Sequence, residues 1–140
     1  MKFSPCGWFC FDEPAGWICT DTPDSILLNH PPSGAVMEVT SARREDRIRQ
    51  SEMWSLLEKN MANMPGSDVE ETSMYRLPGS AECLRSIQST GGFVRGMAYV
   101  FWSHYCVVIK LQAMTDPFRV EHCIRGMNDL LESIQILTTE

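Results

Sequence analysis

The sequence predicts an α+β domain in which an antiparallel sheet is closed on at least one face by a long C-terminal helix. Three observations carry that reading. Four strand-like pieces follow one another from Val69 to Met114 with links of only a few residues. Within the last of them, Val107, Ile109, Leu111 and Ala113 share one face while Lys110 and Gln112 share the other. Apolar residues then recur at three- and four-residue spacing from Val120 to Ile134. At 140 residues the chain has the size of one domain, and a globule of that size buries roughly two-thirds of its unfolded surface. A single domain over residues 1–140 follows.

Taken in order, Trp8-Phe9-Cys10-Phe11 reads as a short strand and Asp12-Glu13-Pro14-Ala15-Gly16 as a turn. Trp17-Ile18-Cys19 starts a second extended piece, so that Trp8 and Trp17 bracket an early hairpin, and Ser25 to Leu28 makes a third strand. Asn29-His30-Pro31-Pro32-Ser33-Gly34 is a loop, because two prolines remove amide donors and Gly34 tolerates positive φ. Ala35 to Ser41 is extended again, with Ala35, Met37 and Val39 on its apolar face and Val36, Glu38 and Thr40 on the other. From about Asp46 to Ala62 the period becomes helical: Trp54, Leu57 and Met61 form the stripe, Met53 and Leu56 widen it, and Pro65-Gly66 ends it.

Beyond that stop, Val69–Leu77, Ala81–Gln88, Gly92–Trp102 and Tyr105–Met114 are joined at Pro78-Gly79, at Ser89 to Gly92 and at Ser103-His104. Strands with links this short run antiparallel to their neighbours, which makes a meander. Thr115-Asp116-Pro117 is a helix entrance. The stripe Val120, Ile124, Met127, Leu131 and Ile134, broadened by Leu130, should lie across the sheet. Gly126 costs about 1 kcal/mol relative to alanine in a helix interior, so it marks a close approach to the sheet. The first helix is a candidate cover for the second face, and Gln135 to Thr139 read as an extended tail.

Charge narrows the function classes. The formal net charge is −6, with 6 Lys and Arg against 11 acids in residues 1–70 and 6 against 7 in residues 71–140. An acidic chain lacks the attraction to phosphate that sequence-independent nucleic-acid binding needs. Its one basic cluster, Arg43, Arg44, Arg47 and Arg49, is interleaved with Glu45 and Asp46 and reads as a solvated helix start. No apolar run approaches the roughly 20 residues that span a bilayer. The opening Met1 to Cys6 has no apolar core of a secretory signal, so the expected compartment is the cytoplasm. There the six cysteines (Cys6, Cys10, Cys19, Cys83, Cys106, Cys123) are expected to remain thiols.

Catalytic signatures are weak. No glycine-rich phosphate loop and no Cys-x-x-Cys spacing occurs, and His30, His104 and His122 form no local metal pattern. Neither a cofactor nor a metal is therefore expected. A nucleophilic Cys106 with His122 as base, oriented by Glu121 or Asp116, can be assembled on paper. Burial in a packed strand would raise the thiol pKa and leave it inert. Glu70 and Glu71 project to opposite sides of a strand and make no acid/base pair. Aromatic residues stand out more: Trp8, Trp17, Tyr99, Phe101 and Trp102 would make a rigid apolar patch for a protein partner wherever they are exposed.

The run Phe3 to Trp17, with Pro14-Ala15-Gly16-Trp17 in its turn, resembles the opening of the superfamily of PsbP-like, Ran-binding Mog-like and DcrB-like domains. The ending Phe118 through Leu130-Leu131-Glu132-Ser133-Ile134 resembles its closing helix. The likeness spans almost the whole chain and implies a three-layer α/β/α sandwich around a central antiparallel sheet. It also implies a largely non-enzymatic protein, since members serve as assembly factors, extrinsic subunits, small-GTPase partners or adaptors of secreted toxins. No catalytic motif carries over. The expectation is a bacterial cytoplasmic accessory protein, an adaptor, chaperone or immunity-like protein of a secretion system. It would bind one protein partner at Trp8, Trp17 and the Tyr99–Trp102 segment, and the acidic first half favours a basic one. Two alternatives stay open: a small-molecule-binding or cysteine-dependent enzyme domain, and a structural homodimer subunit.

Overall fold

The computed structural model describes residues 1–61, 68–90, 92–114 and 119–138. The early strands are β1 (Lys2–Phe3), β2 (Phe9–Phe11), β3 (Ile18–Asp21), β4 (Ile26–His30) and β5 (Ala35–Arg43), followed by helix α1 (Gln50–Met61). Then come β6 (Asp68–Leu77), β7 (Ala81–Thr90), β8 (Phe93–Trp102) and β9 (Tyr105–Met114), helix α2 (Val120–Ser133) and β10 (Gln135–Ile136). A seven-stranded sheet runs in the order β3-β4-β5-β9-β8-β7-β6, and a three-stranded one in the order β1-β2-β10. Every pairing in both is antiparallel. The α+β class and the β6 to β9 meander are as the sequence predicts.

Strand alternation divides the large sheet into two faces with separate cores. On one face, Ala35, Met37 and Val39 of β5, Val107, Ile109 and Leu111 of β9 and Ala98 and Val100 of β8 pack with Cys123, Met127, Leu130 and Leu131 of α2. Phe9 and Phe11 of the small sheet join them. On the other face, Met53, Leu57 and Met61 of α1 pack with Leu84, Met97, Tyr99, Phe101 and Cys106. Each fully buried Met or Leu of these helices contributes roughly 1.5–3 kcal/mol. Polar pins accompany the packing: buried Arg85 of β7 donates to Asn128 Oδ1 of α2, and Arg95 of β8 donates to the carbonyl of Asn60 in α1.

Four sequence expectations change. The early hairpin does not form: β2 pairs with β1 and, through Cys10↔Gln135 and Phe9↔Ile136, with β10, while β3 joins the other sheet. Residues before Gln50 do not begin a helix, because the amides of Arg44 and Ile48 donate to the carbonyls of His104 (2.8 Å) and Ser103 (2.8 Å) in the β8–β9 turn. Trp54 leaves the stripe and is 37% exposed; α1 presents Met53, Leu57 and Met61 to the sheet, with Leu56 partly buried beside them as expected. Finally, α2 has 14 residues, about 21 Å, rather than being long, since Ile134 leaves it extended to feed β10. Its buried row is Cys123, Gly126, Met127, Leu130 and Leu131, with Val120 and Ile124 half-buried. The proposed helix entrance at 115–117 and the stop at 65–66 lie outside the described residues.

Candidate functional site

The five aromatic residues singled out in the sequence do not converge. Tyr99 and Phe101 lie in the core beneath α1, and the Tyr99 hydroxyl accepts a hydrogen bond from Asn60 Nδ2 at 2.7 Å. Trp102, the next residue along β8, points to the opposite face, as the two-residue period of a strand requires. It stacks on Tyr105 at 5.5 Å and donates from Nε1 to Thr138 Oγ1 at 2.7 Å. Trp8 meets the same Tyr105 edge-on at 5.0 Å. Trp17 lies elsewhere, 5.1 Å from the His30 ring and against Gly126 of α2. Trp17, Tyr99, Phe101 and Trp102 are all 6% exposed or less, and Trp8 is half-buried. These residues build the two cores and form no shared exposed patch.

The paper-built catalytic pair is also taken apart. Cys106 belongs to the core under α1, whereas exposed His122 lies on α2, on the other side of the sheet. Burial pushes the Cys106 thiol up to about 12, against a smaller opposing effect of the Arg44 charge, so it is no nucleophile at neutral pH. Asp116 and the side chains of Glu70 and Glu71 lie outside the described residues. Among the described residues no three His, Cys, Asp or Glu side chains are grouped to hold a metal ion.

A different surface emerges from the sheet register. Helix α1 covers β7, β8 and the adjoining Cys106, and among the described residues no helix covers the outer face of β3, β4 and β5. Two cross-strand rows run over that face. One is Thr20, Leu27, Glu38 and Lys110; the other is Ile18, Asn29, Val36 and Gln112. Leu27, Val36, Glu38, Lys110 and Gln112 line a shallow depression of about 230 Å³. Around it, Ile18 is 58% exposed, Val36 39% and Met114, at the end of β9, 80%. Strand β3 is also an edge, with β4 on one side and, among the described residues, no strand on the other. The sequence pattern marks Val36 and Glu38 of β5, and Lys110 and Gln112 of β9, as the less apolar faces of their strands, and assigns no face to β3 or β4. Missing was the β5–β9 pairing that sets Glu38 beside Lys110 and Val36 beside Gln112.

No family model matches the chain, and no curated protein matches it in sequence. Solved structures do. A Bacteroides thetaiotaomicron protein superposes with a TM-score of 0.64 at 12% identity over 98% of this chain and 48% of that one, so this chain spans about half its length. Cyanobacterial PsbP (CyanoP) from Synechocystis gives 0.64 at 8% identity, covering 96% of this chain and 89% of that one. LpqN, involved in cell envelope biogenesis of Mycobacterium tuberculosis, gives 0.57 at 17% identity, covering 93% and 83%. At these identities the likeness is one of architecture, and the resemblance carried by the two ends of the sequence holds at that level: the chain has the fold of PsbP-like domains.

Proposed function

We propose that this protein is a non-catalytic accessory factor that docks one protein partner on the outer face of β3, β4, β5 and β9, in the manner of an adaptor, chaperone or immunity-like protein. The observation that carries the reading is the uncovered half-face, where Ile18, Leu27 and Val36 stand beside the Glu38–Lys110 pair and run out to the free edge of β3. Apolar area with a few charges and an open backbone edge suits a partner that lays down a strand. Exposed Glu13 and Asp24, in the turns before and after β3, favour a basic segment in that strand. The architecture beneath it we take as a three-layer α/β/α sandwich, supported by one core on each sheet face. A reducing cytoplasmic setting agrees with six free cysteines.

The test replaces exposed residues only. Ile18→Arg with Val36→Arg should leave the unfolding temperature nearly unchanged, since exposed substitutions stay within about 0.5 kcal/mol. It should weaken capture of the retained partner at least tenfold. Undiminished capture by the double variant defeats the proposal. Light scattering on the native chain separates the homodimer reading: a mass of twice 15.9 kDa that reverts in the double variant would make the partner a second copy.

A further inference from the structure

The other half of the outer face carries a second, unrelated feature. Between α1 and the β6–β7 hairpin lies a cavity of about 490 Å³, within the roughly 300–1,000 Å³ range of small-molecule sites. Its helical wall is apolar, made by Leu57 and Met61 with Trp54 beside them, half out in solvent. The sheet contributes three polar side chains: Thr72 of β6 and Ser86 and Gln88 of β7. Gln88 is only 3% exposed.

The hydrogen bonding of those three is incomplete. Gln88 Nε2 donates to the carbonyl of Met61 at 3.1 Å, which fixes the orientation of the amide and leaves Oε1 as an acceptor. That oxygen is out of contact with water and has no donor, an uncommon state for a buried polar atom in a folded protein. Thr72 Oγ1 and Ser86 Oγ lie 3.1 Å apart and share a single hydrogen, which leaves one hydroxyl proton for a further acceptor. Glu58 completes the lining as an exposed anion. The cavity therefore offers apolar walls, an aromatic ring, one spare hydroxyl proton and the negative charge of Glu58, with the unmet acceptor Oε1 buried within its Gln88 wall and no cation among the described residues that line it.

We propose that this cavity is a binding site for a small, uncharged, largely aromatic molecule that carries an N–H donor. The apolar body lies against Leu57, Met61 and the Trp54 indole, and the N–H satisfies Gln88 Oε1. Met61 supplies the local give that admits the donor, since its thioether side chain repacks easily. Carboxylates and sulfonates are excluded by Glu58, because a buried anion needs a cation or several donors. The site is independent of the partner surface and makes no use of β3, β4 or β5.

Three related fluorescent probes test it on the native chain. N-phenyl-1-naphthylamine is neutral, aromatic and bears one N–H; 1-phenylnaphthalene lacks the donor; 8-anilino-1-naphthalenesulfonate adds an anion. Saturable one-to-one binding of the first is expected, with the sulfonate at least tenfold weaker. Gln88→Leu should cost the amine about tenfold in affinity while leaving 1-phenylnaphthalene unchanged or tighter. Thr72→Phe, a change at an exposed edge position, should fill the mouth and abolish binding of both neutral probes with the unfolding temperature preserved. The proposal is overturned if the amine does not bind, if Thr72→Phe leaves its binding intact, or if a folded Gln88→Leu variant loses nothing. Should Gln88→Leu fail to fold, the Thr72→Phe result and the amine-to-sulfonate ratio decide.

Discussion

Gly126 sits inside α2 with its Cα face against the Trp17 indole. A Cβ built there would fall 2.6 Å from Trp17 Cε2 and 2.7 Å from Cζ2, and closer still to Nε1. Carbon atoms in contact need about 3.5–4.0 Å, so the indole would have to withdraw by around 1 Å. Little room exists for that: Trp17 is 6% exposed and is backed by the His30 ring 5.1 Å away. Gly126→Ala gains about 1 kcal/mol of helix propensity and incurs an overpacking cost of about 1–3 kcal/mol. The obstacle is a rigid ring rather than a flexible chain end, which puts the cost at the upper end and the net loss at about 1–2 kcal/mol. For a chain of this size that lowers the unfolding temperature by roughly 3–8 °C, measurable by calorimetry or by circular dichroism during heating. The double variant Gly126→Ala with Trp17→Leu should lose less than the sum of its two single changes, as neighbours in contact do. A Gly126→Ala protein that unfolds at or above the native temperature would refute the close approach, and with it the account of why a glycine stands in this helix.

Two further outcomes concern titrating groups. Burial acts to raise the Cys6 thiol pKa, but hydrogen bonds from the Ser4 and Ser41 hydroxyls and from the Trp8 and Cys6 amides outweigh it and bring the pKa below the ordinary thiol value. Iodoacetamide should therefore modify exposed Cys6 first, with a pH–rate midpoint below that of a free thiol. Cys106 should react only once the protein unfolds; a fast phase that survives Cys6→Ser would contradict this. His30 is held below 6.5 by burial and then by the nearby His122 and Arg119 charges. The folded protein thus takes up this proton less readily than the unfolded chain. His30 contributes stability in full above about pH 6.5, and that contribution is lost as pH falls from there through the lowered folded-state pKa. Thermal scans should show a decline over that interval that flattens in His30→Gln; identical slopes would remove His30 from the account.

Much of the scaffold was legible because it is local. Short links force β6 to β9 into an antiparallel meander, a two-residue period assigns Val107, Ile109 and Leu111 to one face, and a helical period places Met127 and Leu131 on the buried side of α2. The same alternation held evidence against the aromatic patch, since Tyr99 and Phe101 cannot share a face with Trp102. Period alone does not say whether either face is covered. Trp54 shows the limit on a helix: its spacing from Leu57 and Met61 suits the stripe, yet only the row containing Met53 meets the sheet.

The sequence by itself determined the α+β class and the order of the principal elements, because propensity, periodicity and turn chemistry act over a few residues; the close approach of Gly126, expected toward the sheet, is instead to the Trp17 indole just before β3. Tertiary structure alone decided that β5 pairs with β9 across some sixty intervening residues, that β10 returns to β2, and that α1 covers only part of its face. Those choices depend on which apolar surfaces bury each other best when the chain collapses, a property of the whole core. From them come both the uncovered rows around Val36 and the cavity beside Gln88. The apolar surface left exposed is what remains once long-range pairing has buried the rest.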